Sequence, residues 1–73
     1  MFKPLISCVG MLMEEKPTKI RFRQNSNKID CWINKSELNK IVIGPQAPSG
    51  WKSCQITISE ELASIMELQG QLE

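Results

Sequence analysis

The chain contains no histidine and no tyrosine, and its 73 residues include only four aromatics, Phe2, Phe22, Trp32 and Trp51. Without those two types, acid–base catalysis falls to Asp, Glu, Lys or Cys. The paired carboxylates, Glu14-Glu15 and Glu60-Glu61, are adjacent in sequence and do not converge on a reacting centre. The reading is therefore non-enzymatic, with no catalytic residues. Cysteine is scarce and odd in number: Cys8, Cys31 and Cys54. Each falls in a strand-like run, which argues against a disulfide framework and for a reducing compartment. With no C-x-x-C and no histidine, neither a metal site nor a cofactor is expected. No apolar run approaches the ~20 residues that span a bilayer. The few glycines form no phosphate-cradling loop.

What the sequence does hold is a hairpin with two unlike faces. In residues 19–34, KIRFRQNSNKIDCWIN, two alternating runs flank the turn-prone Gln24-Asn25-Ser26-Asn27. A tight turn there pairs Arg23 with Lys28, Phe22 with Ile29, Arg21 with Asp30, Ile20 with Cys31 and Lys19 with Trp32. Strand side chains alternate between faces. Ile20, Phe22, Ile29, Cys31 and Ile33 then share an apolar face. Lys19, Arg21, Arg23, Lys28 and Trp32 share the other, with Asp30 and Asn34.

Residues 2–13 read as a strand, with a bulge or bend at Gly10. Residues 35–38 read as one helical or 3₁₀ turn, and Ile41-Val42-Ile43 resumes a β-branched run. Residues 44–50 hold two prolines and two glycines and read as a long loop. Residues 51–58 form a fifth strand with Cys54, Ile56 and Ile58 inward. A helix over about 59–69 closes the chain, capped by Thr57 or Ser59 and ended by Gly70. The expected fold is mainly β with one C-terminal α-helix. It is a single domain over residues 1–73, with strands within 2–58, in a small five-stranded antiparallel, partly open barrel of SH3-like or OB-like type.

The formal charge of +1 hides a segregation. Residues 16–52 hold eight bases against two acids, and residues 53–73 hold four glutamates and no base. Single strands bind where bases stack on aromatics while cations track phosphates. Lys19, Arg21, Arg23, Lys28, Trp32 and Lys35 are therefore the nucleic-acid-binding candidates, for single-stranded DNA or RNA. The plain alternative is a solvated face with an Arg21–Asp30 pair, Lys19 packed on Trp32, and the helix lying over the indole. A second reading is a protein-binding inhibitor or adaptor that meets a host protein through Trp51, Lys52, Pro45 and Pro48. A third is a homo-oligomer through an unpaired edge strand. No membrane partner is expected.

The order Arg21-Phe22-Arg23, then residues 31–38 (CWINKSEL), then residues 56–63 (ITISEELA) resembles small proteins encoded by bacteriophages and prophages. In those, a Phe-Arg strand leads to a Trp-hydrophobic-x-Lys-Ser turn and an Ile-Thr-Ile strand running into a short helix. The likeness covers roughly residues 18–66. Asn34 stands where the family has a proline after the Trp-hydrophobic pair, and Ser59 where it has one at the helix start. The resemblance implies a bacterial host cytoplasm and a setting among DNA-replication and recombination genes. It brings no activity and no site residues.

Overall fold

The computed structural model describes residues 4–73; the expected strand start at residue 2 lies outside them. Six strands and one helix follow in order: β1 (Leu5–Glu15), β2 (Lys19–Gln24), β3 (Asp30–Asn34), a 3₁₀ turn (Lys35–Glu37), β4 (Lys40–Gln46), β5 (Lys52–Ser59), α1 (Glu60–Met66) and β6 (Gln71–Leu72). The sheet order is β3-β2-β1-β5-β4, with β6 also on β1, and every pairing is antiparallel. β3 and β4 do not pair, so the sheet does not close between them. Among the described residues no helix is long and apolar enough to cross a membrane.

β1 explains its own apolar run, because it is the central strand. One of its edges meets β5 from Leu5 to Leu12, and the other is divided between β2 and the two residues of β6. Its inward residues Ile6, Cys8 and Leu12 join Ile20, Phe22, Ile33, Cys54, Ile56 and Ile58 in the core, closed by Ala63 and Leu68. Gly10 is the small residue in that inward row. A Cβ there would collide with the carbonyl oxygen of Arg23 and the ring of Phe22. The ladder to β2 shifts between Leu12 and Glu14, a bulge that sets Glu14 against Arg21.

The hairpin keeps the expected faces but not the expected register. Arg23 lies opposite Asp30, Phe22 opposite Cys31, Arg21 opposite Trp32, Ile20 opposite Ile33 and Lys19 opposite Asn34. The arms are displaced by two residues because the turn is wider. Gln24 N–H donates to the Ile29 carbonyl at 3.0 Å, and Lys28 N–H donates to the Gln24 carbonyl at 3.0 Å. Lys28 takes a left-handed φ of 58°. The Asn27 side chain accepts from Ile29 N–H at 3.2 Å, the local bond by which asparagine favours turns. Displacement by an even number leaves each side chain on its original side.

Three other expectations are corrected. Residues 44–50 are not a long loop: β4 runs on through Gly44 and Pro45 to Gln46, with an irregularity that accommodates them. A tight turn then closes with Gly50 N–H on Ala47 O at 2.9 Å. The helix stops at Met66, where Glu67 adopts φ 59°, and not at Gly70. Gly70 instead lets the chain press against β1, since a Cβ there would strike the Ser7 carbonyl. That close passage delivers β6, the sixth strand that the residue pattern did not announce. Of the two expected caps, Ser59 accepts from Leu62 N–H at 3.1 Å; Thr57 lies within β5.

Candidate nucleic-acid interface

β2 and β3 carry the site, and alternation decides what it contains. Ile20, Phe22 and Ile33 are fully buried, which turns Lys19, Arg21, Arg23, Asp30, Trp32 and Asn34 to the opposite side. The helix packs on the inner side: Ala63, Leu62 and Met66 belong to the core or its margin. It therefore does not lie over Trp32, which is 40% exposed.

Trp32 is held by cations. Lys19 Nζ sits 5.0 Å and Lys16 Nζ 5.3 Å from its ring centroid, within the reach of a cation–π attraction. Lys19 thus adopts the packing expected of a solvated face, and Lys16 joins a site in which the sequence did not place it. Arg21 and Arg23 share one carboxylate. Asp30 meets Arg21 at 3.4 Å and Arg23 at 3.5 Å, because it lies opposite Arg23 and diagonal to Arg21. Such exposed pairs are worth ~0–1 kcal/mol each and yield to a competing anion.

The surface also reaches further than one hairpin. Arg23 lies opposite Met11 of β1, and Met11 opposite Ser53 of β5. The Arg23 guanidinium sits 5.7 Å from the centroid of Trp51. Trp51 and Trp32, assigned to different readings by sequence, are joined by one belt of cations across the outer side. The alternation signal could not show this, since Trp51 precedes β5 and its bearing depends on the β4–β5 turn.

Two expected members stand apart. Lys28 is in the turn and not in β3, as its positive φ requires, so it marks the hairpin tip. Lys35 begins the 3₁₀ turn and lines a cleft with Ile20, Ile41 and Ile43, away from the outer belt. Its ammonium bonds Glu15 at 2.8 Å, and that hydrogen bond and charge hold the Glu15 carboxyl below its ordinary value. Of the other four residues named by sequence, Trp51 joins the belt and Lys52 is exposed at the start of β5. Pro45 lies within the last residues of β4 and Pro48 in the turn that follows, both exposed.

Burial pushes the thiols of Cys31 and Cys54 up to about 11 and raises that of Cys8, which keeps them protonated at neutral pH. No protein-family model, curated protein sequence or solved structure matches this chain.

Proposed function

We propose that this protein is a non-enzymatic module that binds single-stranded nucleic acid on the outer side of its β2–β3 hairpin. The observation that carries the reading is the exposed indole of Trp32 flanked by Lys16 and Lys19, with Arg21 opposite it on the neighbouring strand. An indole offers any base a stacking surface, and the surrounding cations meet the phosphates. Asp30 holds both arginines outward in the free protein and gives way to a phosphate oxygen. The resemblance to small phage proteins supports a role in phage DNA metabolism in a bacterial cytoplasm.

Titration of an unlabelled oligonucleotide against tryptophan emission tests the reading. Binding should quench the emission. Contacts from Lys16, Lys19, Arg21 and Arg23 should give a log–log salt slope of about −3, from ~0.7 counterions released per phosphate on a single strand. Trp32→Ala should weaken binding by about tenfold or more, from ~1–3 kcal/mol per stacked base. Absence of both quench and salt slope refutes it.

A further inference from the structure

Tryptophan is highly buried on average, and a core this small has few large side chains to fill it. Yet among the described residues the side chains packed on the core margin are Cys31, Leu38, Leu62 and Met66, and neither indole is one of them. Trp51 is held by its backbone instead. Gly50 turns the chain with a φ of 94°. The Trp51 N–H donates to Ser49 Oγ at 3.4 Å, and its carbonyl accepts from Ala47 N–H at 2.6 Å. The β4–β5 turn thus fixes an indole that the core does not use.

The surroundings of that indole repeat those of Trp32. Arg23 lies over Trp51 at 5.7 Å, as Lys19 and Lys16 lie over Trp32 at 5.0 and 5.3 Å. The two residues are also level on the sheet. Arg21, opposite Trp32, faces Glu14 across the bulge; Lys52 lies opposite Leu12, which sets Trp51 beside Met13. Three strand intervals in the order β3-β2-β1-β5 separate them, a span of ~14 Å at ~4.8 Å each. Both acids on this face are matched: Glu14 meets Lys16 at 4.0 Å, and Asp30 meets Arg21 at 3.4 Å and Arg23 at 3.5 Å. Lys19 adds a further cation.

We infer that Trp51 is a second base-stacking platform, and that the ligand is a single strand crossing the sheet from β3 to β5. One base lies on each indole, and the phosphates between them meet Arg21 and Arg23. This rests on the proposed function and adds to it a path and a minimum length. A stacked strand rises ~3.4 Å per nucleotide, so a span of ~14 Å takes about four steps, and fewer when the strand is extended. A dinucleotide cannot reach both rings; an octanucleotide can.

Variants with a single tryptophan test this, because phenylalanine keeps a stacking ring and leaves one emitter. In Trp32→Phe, an octamer of thymidylate should quench the remaining Trp51 emission. In Trp51→Phe, it should quench that of Trp32. The parent should bind the octamer about tenfold or more tighter than the thymidylate dinucleotide, from the second stacked base, and Trp51→Ala should remove most of that advantage. Quenching of Trp32 without quenching of Trp51 overturns the inference and leaves the proposed function standing. An octamer that quenches neither overturns both. A Trp51→Ala affinity for the octamer within about twofold of the parent also overturns it, since losing a stacked base costs more.

Discussion

Gln24 is a buried polar residue, 3% exposed, and its amide acts as a substitute peptide group. Its Nε2 donates to the Gln69 carbonyl, and its Oε1 accepts from Gln69 N–H at 2.9 Å. It thereby ties the end of β2 to the chain leading into β6. Gln24→Leu removes both bonds at nearly constant volume. At ~1 kcal/mol net for each bond, the loss is about 2 kcal/mol, a large share of what so small a core supplies. The corresponding fall in Tm is about 8–16 °C. Gln24→Glu is the sharper perturbation, because it keeps the acceptor and removes only the donor. At neutral pH it buries an unpaired charge against a carbonyl oxygen and should cost about 3 kcal/mol. Its carboxyl is raised in the folded protein, so protonation favours the fold. The deficit is therefore present at pH above the folded-state value and shrinks as pH falls towards the unfolded-state value, where the protonated acid donates again. Urea denaturation of both variants and the parent across pH 4–8 reads this directly. A Gln24→Glu deficit independent of pH, or a Gln24→Leu loss below about 0.5 kcal/mol, refutes the assignment of this amide as the tie.

Two further outcomes follow from packing and burial. Gly10→Ala should cost about 2–4 kcal/mol, because the added methyl overlaps a neighbouring backbone oxygen as well as the Phe22 ring; a thermal midpoint within 3 °C of the parent, well under the ~8 °C expected for such a loss, contradicts that packing. Cys31 and Cys54, with thiols near 11, should alkylate about 100-fold more slowly at pH 8 in the folded than in the urea-unfolded chain, from the thiolate fraction. Because these thiols are raised on folding, their contribution to stability is full below the unfolded-state value near 9 and declines as pH rises towards 11; equal reactivity of folded and unfolded chains contradicts it.

The faces of the hairpin were legible from sequence because alternation is a local property: Phe22 buried obliges Arg21 and Arg23 to point away. Its register was less legible. Asn25-Ser26 suits a two-residue loop, yet Lys28 in the left-handed region and the Asn27 side-chain bond to Ile29 stabilise a wider one. The 3₁₀ turn at Lys35 and the Ser59 cap carry local signals and are where the residues place them. β6 carries none, since Gln71 and Leu72 become a strand only by meeting Ile6 and Ser7 across the whole chain. The proximity of Trp51 to Arg23 is equally non-local, resting on the β2-β1-β5 order. Lys35 misled because a run of bases along the chain says nothing of which way a 3₁₀ turn aims them.

The arrangement around β1 sets a schedule for the newborn polypeptide. Leu5 to Leu12 wait for β5, and Ile6 and Ser7 also wait for Leu72 and Gln71. Contacts of such sequence separation form slowly. On the ribosome, the first hairpins can assemble early, but their oily underside stays uncovered until β5 and the segment up to Leu72 have emerged. A chain stalled shortly before Gly70 would display its sticky interior to the quality-control machinery.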